Sequence, residues 1–479
     1  MKKIDTLSPL YKAIIKSVTG RFSSYIVQFI SLAIYARIFT LEEFGVIASI
    51  HVFVIFFQML ADVGLGPAII NETTFSENKR DGIFTVTLLL GLILAILFYF
   101  FTYFLNDFYE SSIYTEIGIL ICISILFNAL NILPITALHK DAKFMEIAYV
   151  DISTEIFSFV VVYSLYLQNL GIYALASKHP VKAVLNFIST KFICKNTELG
   201  RPSLGREIFH IKSILKFSLY QFGFNFINYF SRNLDNILIG KYFGMSALGI
   251  YDKSYQLMRY PLMVTTFAMS PAIQPILTKV RTNLNYVVLE HNKLTSRLMA
   301  LSMSISFFIY INSKSIILFL FGENWLAVEP LLEIFCVMIP IQSVLSTSGA
   351  FFQVMNKPRL LFLSGLFAAF VSVSAILSGI HLGEMKYVAS ALVLGFSINF
   401  IQIYFVLFKF CFKSSTKLFY FGLIKAGLSV LPSLFLYFII NRILLNTKFD
   451  SPFFDLIINS STFLIAILIF IIPIKKALK

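Results

Sequence analysis

Charge is scarce in this chain. Only 13% of its residues are Asp, Glu, Lys or Arg, where ordinary globular chains carry about 25%. With 58% hydrophobic residues over 479 positions, a soluble domain of this length is excluded. The short alternating segments of a membrane β-barrel are missing too. So is a cleavable signal pattern in the leading MKKIDTLSPLYKAIIK, and so is a Gly-rich phosphate loop ending in Lys-Ser or Lys-Thr. Cysteine is sparse and scattered. Cys122, Cys336 and Cys411 fall in or beside apolar runs and Cys194 in a basic loop, with neither metal-ligand spacing nor a disulfide framework.

What remains is a succession of apolar runs, each roughly 20 residues long and able to cross a bilayer. Lipid offers no partner for backbone N–H and C=O groups, so these runs are expected to be helices. The composition implies an all-α integral membrane protein with about fourteen transmembrane helices. They fall near 17–39, 44–70, 83–105, 117–138, 148–167, 171–192, 214–234, 247–276, 295–320, 330–354, 360–382, 387–410, 418–440 and 453–474. The sixth is the most polar, with Lys178, His179, Pro180 and Lys182. The basic lead-in is expected to lie on the membrane surface as a short amphipathic helix.

The net charge of +14 does not point to nucleic acid, because the basic residues lie in short loops. One alternate set of loops holds Lys79, Arg80, Lys140, Lys143, Lys195, Arg201, Lys357, Arg359 and Lys413, among others. The other holds little beyond Lys241, Lys386, Arg442 and Lys448. Positive charge favours the cytoplasmic side, so both termini are expected there. The loop over 194–213 reads as a basic cytoplasmic linker with attraction for anionic headgroups.

Residues 37–69 align without a gap on residues 241–273. Arg37 meets Lys241, Phe39 meets Phe243, Gly45 meets Gly249, and Pro67-Ala68-Ile69 meets Pro271-Ala272-Ile273. Six expected spans separate the copies, so both halves share one orientation. Repeats of this kind mark transporters that bind substrate between lobes and rock between two openings.

The stretches FTLEEFGVIASIHVFVIFFQMLADVGLGPAII and NLDNILIGKYFGMSALGIYDKSYQLMRYPL, with FGENW at 321–325, resemble the Wzx-type polysaccharide and O-antigen flippases of bacteria, in the teichuronic-acid and colanic-acid exporter branch. That family lies in the multidrug/oligosaccharidyl-lipid/polysaccharide superfamily, with the MATE antiporters and the lipid II flippase. The resemblance covers essentially the whole chain. It implies two pseudo-symmetric six-helix lobes, 1–200 and 201–413, followed by two C-terminal helices over 414–479. It further implies translocation of a polyprenyl-pyrophosphate-linked oligosaccharide from the cytoplasmic to the outer leaflet, by alternating access and without ATP. The setting would be the bacterial cytoplasmic membrane, with membrane lipids and a polysaccharide polymerase and chain-length machinery as partners. No cofactor is expected, although a coupling ion, H+ or Na+, stays open.

A charge at a helix centre costs about 2.5–3.5 kcal/mol on insertion scales, so interior charges face a cavity or one another. Lys178, Lys182 and Arg259 lie near mid-membrane, and Arg21 at the cytoplasmic entrance. These four are the candidates for a pyrophosphate site, since ammonium and guanidinium groups match phosphate oxygens. Asp62, Glu155, Arg232, Asp235 and Asp252 are candidates for ion pairs or gating: Arg21 with Asp62, Glu155 with Lys182, Arg232 with Asp235 or Asp252. Coupling of a cation at Asp62 or Asp235 is a further option. A drug antiporter or a lipid II flippase of the same fold is the nearer alternative. A membrane polymerase or glycosyltransferase would be expected to carry a large external loop or a catalytic acid cluster. Neither is found, so no enzymatic activity is expected.

Overall fold

The computed structural model describes residues 25–62, 65–66, 69, 76–141, 143–210, 226, 229–263, 266, 270–444 and 451–477. Among them the regular structure is entirely helical. The described residues within Phe22–Gly249 form one compact unit, and those within Ile250–Lys479 form the other.

The N-terminal unit contains α1 (Tyr25–Ile38), α2 (Leu41–Asp62), α3 (Glu77–Tyr109), α4 (Ile113–Lys140), α5 (Phe144–Leu167) and α6 (Gly171–Ile193). It also contains α7, over 229–243, and the first residues of α8 (Met245–Leu262). The FTLEE motif is a capping box. Thr40 Oγ1 accepts the Glu43 N–H at 3.2 Å, and Glu43 Oε2 accepts the Thr40 N–H at 2.8 Å. Two orphan donors at the start of α2 are thereby satisfied. Ser76 caps α3 through the Lys79 N–H, and Glu110 ends it in the left-handed region at φ 57°. Pro180 lies inside α6 without ending it. Ile50, Phe53, Phe57, Phe98, Ile121 and Leu133 form the heart of the buried core.

The residues after α6 are bound to this unit rather than hanging between helices. Arg80 donates to the Leu199 carbonyl at 2.8 Å, and Asp81 accepts the N–H and hydroxyl of Ser203 at 2.9 and 2.6 Å. The Thr85 hydroxyl accepts from the Gly205 N–H at 2.9 Å, and Glu198 N–H reaches Asp141 at 3.0 Å. The stretch expected as a basic linker is, through Glu207, a strap along the first turns of α3.

The C-terminal unit continues α8 and adds α9 (Ser270–Leu277), α10 (Leu284–Ile311), α11 (Ser313–Leu320), α12 (Glu329–Cys336), α13 (Met338–Leu345) and α14 (Ser348–Val354). It ends with α15 (Pro358–His381), α16 (Met385–Val406), α17 (Thr416–Leu444), α18 (Pro452–Ile469) and α19 (Ile471–Ala477). Its core is aromatic. His291 is fully buried among the rings of Phe351, Tyr404, Phe408, Phe412 and Phe419, at centroid distances of 4.6–5.7 Å. A π-helical turn, Leu407–Phe412, brings Phe408 and Phe412 to that ring.

Among the described residues, nine helices are long and apolar enough to cross a bilayer, namely α2, α3, α4, α5, α10, α15, α16 with its π turn, α17 and α18. A tenth crossing arises if Glu323–Cys336 and Met338–Val354, bent by 53°, are one broken span. The chain is a multi-pass membrane protein. The expected helix over 214–234 lies mostly outside the described residues, and α6 forms but is too polar to count among the nine.

The two repeat copies meet where α2 and α8 begin. A methyl group on Gly45 would stand 1.8 Å from the Met245 carbonyl oxygen, and one on Gly249 2.1 Å from that of Leu41. Leu41 and Met245 are equivalent positions in the repeat, as are Gly45 and Gly249. The contact is therefore reciprocal: each copy's glycine receives the carbonyl of the other copy, in the manner of a Cα–H···O approach. Polar contacts surround it. The Ser49 and Tyr114 hydroxyls lie 2.8 Å apart, Tyr114 OH reaches Met245 Sδ at 3.4 Å, and Lys241 pairs with Glu110 at 2.8 Å. That hydrogen bond, with the lysine's charge, holds the Glu110 carboxyl below the usual carboxylate range.

A Cβ at either glycine would collide with backbone, which cannot rotate aside. Gly45→Ala and Gly249→Ala are each expected to cost about 3 kcal/mol or more. Gly422→Ala, on α17 with nothing within 4 Å of the new methyl, is expected to be neutral or mildly stabilising. Midpoints of thermal unfolding in detergent check all three, and equal midpoints would remove the reciprocal contact as a constraint.

Candidate functional site

Helices α5 and α6 pack side by side, and the side chains between them are charged. Glu155 of α5 is 1% exposed, and its two oxygens are taken separately: Lys178 Nζ lies 2.7 Å from Oε1 and Lys182 Nζ 2.7 Å from Oε2. The lysines stand one turn apart on α6, so they reach the same carboxylate from successive turns. Their side chains remain 26% and 28% exposed. Lys178 also lies 5.0 Å from the ring centroid of Tyr35, and the His179 ring lies 5.1 Å from that of His51. Two ammoniums against one carboxylate leave one formal positive charge in excess. Each ammonium has three donors, so the carboxylate does not exhaust them. The cluster anchors two cations whose side chains are about a quarter exposed.

A ladder of neutral polar groups runs from this cluster along α6. The Thr154 hydroxyl, beside Glu155, donates to Asn186 Oδ1 at 3.0 Å. One turn further, the Thr190 hydroxyl lies within hydrogen-bonding reach of Asn131 Oδ1 and of the Asn186 carbonyl. Asn131 lines a cavity of about 200 Å³ with Asp62, Gly66, Asn128, Ile132, Ile135 and Thr136. None of these amides and hydroxyls is conspicuous in the sequence, where interior charges draw the eye. The signal that finds them is the pair Asn128 and Asn131, three residues apart in an otherwise apolar run.

The other candidates are spread out. Arg21 lies outside the described residues, and with it the pairing of Arg21 and Asp62. Asp62 ends α2, where it accepts the Gly66 N–H at 3.4 Å. On α7, Asp235 is 5% exposed and accepts the Asn236 N–H at 2.9 Å, while Arg232 is exposed. Among the described residues no ion pair joins Arg232 to Asp235 or Asp252. Asp252 pairs instead with its neighbour Lys253 at 2.8 Å, and Lys253 also donates to Gln256 at 3.0 Å. Arg259 is exposed on α8, in the C-terminal unit.

Removing the shared acceptor strands two cations, whereas removing one lysine leaves the other in place. Glu155→Gln is therefore expected to lower stability by about 3 kcal/mol, and Lys178→Met or Lys182→Met alone by clearly less. Unfolding midpoints of the three variants in detergent give the order, and a harmless Glu155→Gln would mean that the carboxylate does not anchor the pair.

The model of a family described as "Polysaccharide biosynthesis protein" matches residues 34–330. The teichuronic acid biosynthesis protein TuaB of Bacillus subtilis (strain 168) is 22% identical over 351 residues, covering 70% of this chain and 69% of the relative. The lipopolysaccharide biosynthesis protein WzxC of Escherichia coli (strain K12) is 21% identical over 394 residues, covering 81% and 78%. A solved structure of the lipid II flippase MurJ, in an inward closed conformation, matches with a TM-score of 0.77 at 17% identity, over 95% of this chain and 98% of that one. At that identity the likeness shows the fold. The family match covers well over half the chain, and the chain belongs to the polysaccharide biosynthesis protein family.

Proposed function

We propose that this protein is a flippase that carries a polyprenyl-pyrophosphate-linked oligosaccharide from the cytoplasmic to the outer leaflet of the bacterial cytoplasmic membrane. Membership of the polysaccharide biosynthesis family, with relatives named for teichuronic acid and lipopolysaccharide biosynthesis, supports the substrate class. The MurJ-like fold supports transport by alternating access, without ATP hydrolysis. The fourteen-helix plan, with lobes over 1–200 and 201–413, added helices over 414–479 and both termini in the cytoplasm, belongs to the same proposal. So do the polymerase and chain-length machinery as partners.

The observation that carries the reading is the pair Lys178 and Lys182 on the single carboxylate of Glu155. With no anion present, Glu155 keeps two interior ammoniums from standing uncompensated. The excess charge attracts a pyrophosphate, whose oxygens form charge-assisted hydrogen bonds with the ammonium groups of both lysines. Glu155 weakens that grip, and a carrier must release what it binds. Arg21 and Arg259 are proposed as further basic contacts, and Asp235 and the Asp252–Lys253 pair as gating elements.

A deletion strain tests the reading. Lipid-linked repeat units are expected to accumulate on the cytoplasmic face, and the wild-type gene restores surface polysaccharide. Lys178→Ala/Lys182→Ala is expected to lower surface polysaccharide at least tenfold at normal membrane abundance, with Arg259→Ala weaker. Full restoration by the double variant would overturn the lysine pair as the headgroup contact.

A further inference from the structure

The cavity between the end of α2 and α4 is chemically unlike the lysine cluster. Its wall carries Asp62, Asn128, Asn131 and Thr136, with Gly66, Ile132 and Ile135 between them and no Lys, Arg or His. Nothing in that lining calls for an anion. Among the described residues the Asp62 carboxylate accepts one long hydrogen bond, 3.4 Å from the Gly66 N–H. Asn131 Oδ1 is taken by the Thr190 hydroxyl, which leaves the two N–H donors of that amide for a guest.

Donors and acceptors are therefore mixed around one space. A carboxylate only accepts, a carboxamide does both from one plane, and a hydroxyl turns to suit either. Ile132 and Ile135 add an apolar wall. A sugar ring has the matching surface, with hydroxyls around its edge, each a donor and an acceptor, and C–H groups on its faces. Room for it is made at Gly66. A methyl group there would stand 3.4 Å from Thr136 Oγ1 and 3.9 Å from Asp62 Oδ1. The hydroxyl and the carboxylate thus border the space that the missing side chain leaves. The cavity of about 200 Å³ equals the share of about seven waters at about 30 Å³ each, enough for one ring and not for a chain of them.

The position agrees with the chemistry. The ladder of Thr154, Asn186, Thr190 and Asn131 joins the cavity to the lysine pair. Lys182 and Thr190 stand eight residues apart on α6, about 12 Å of helix. A ligand whose phosphates meet the lysines reaches the cavity only with a part that lies beyond the phosphates.

We propose that this cavity is a saccharide subsite, which takes one sugar ring of the lipid-linked substrate and sets which glycans the protein accepts. Asp62 accepts from ring hydroxyls, Asn128, Asn131 and Thr136 exchange hydrogen bonds with them, and the isoleucines cover a ring face. The inference rests on the transport reading and gives it a second contact, separate from the lysines.

Two lipids that share their phosphates test it. Lipid-linked repeat units extracted from the deletion strain, and polyprenyl pyrophosphate without sugar, are each titrated onto purified full-length protein in detergent. The wild type is expected to bind the glycosylated lipid about tenfold more tightly, the equivalent of one net hydrogen bond. Asn128→Ala/Asn131→Ala and, separately, Gly66→Val are expected to bring that ratio close to one. Gly66→Val removes no polar group and its Cβ meets nothing closer than 3.4 Å, so it carries the test should the amide variant fail to fold. Glu110→Gln, at the end of α3, is expected to keep the ratio. Equal affinities in the wild type would overturn the proposal, as would a ratio that survives both cavity variants. Lys178→Ala/Lys182→Ala is expected to weaken both lipids alike and leave the ratio standing. If that double variant binds both lipids as the wild type does, the lysine pair falls as the headgroup contact, and the ratio still decides the cavity.

Discussion

The N-terminal unit is organised around the absence of two side chains. Gly45 and Gly249 let the starts of α2 and α8 approach until each backbone carbonyl fills the space where the other's Cβ would be. No larger residue permits that distance, and no softer neighbour is available to yield, because backbone is what stands there. The rest follows from the approach. The Thr40–Glu43 capping box satisfies the N-terminus of α2 beside the crossing. Ser49, Tyr114 and Met245 close over it, and Lys241 reaches Glu110 at the end of α3. The reciprocity of the contact gives the weak sequence repeat its physical meaning. Two copies of one motif meet through equivalent atoms, as a two-fold relation between them requires.

Away from that crossing, the buried charge at Glu155 and the polar groups beside it are answered locally. In an apolar solvent the alternatives to a partner are expulsion or neutralisation. Glu155 is answered by two lysines, and Thr154, Asn186, Thr190 and Asn131 answer one another along α6. The strap through Glu207 is held in the same way, its backbone groups taken up by Arg80, Asp81 and Thr85 at the start of α3. Cations in excess at one point and a carboxylate with uncharged neighbours at another give the interior two poles.

Much of this was legible beforehand, and for a local reason. Hydropathy marks a membrane helix without reference to any other part of the chain, so α3, α4, α5, α15 and α17 lie close to where their apolar runs place them. The FTLEE cap is likewise written in consecutive residues. The interior charges stood out because they are rare, and Glu155, Lys178 and Lys182 were singled out on that ground alone. The expected pairing was Glu155 with Lys182 alone, and only the structure adds Lys178 on the other carboxylate oxygen. The strap read only as a basic linker, because polar loop residues carry no sign of whether protein or water completes their hydrogen bonds. The amides of the Asp62 cavity carry only a faint signal, two Asn three residues apart in an apolar run.

By itself, the amino-acid sequence determined that this chain is helical and lives in a membrane. Composition and run length act residue by residue, and lipid leaves the backbone no other way to satisfy itself. It also carried the repeat, as spacing. Only the tertiary structure decided that the repeat's two glycines touch, 204 positions apart, and that Glu155 finds its partners 23 and 27 residues on. Such contacts depend on how helices are rotated and crossed, which packing settles and hydropathy does not record.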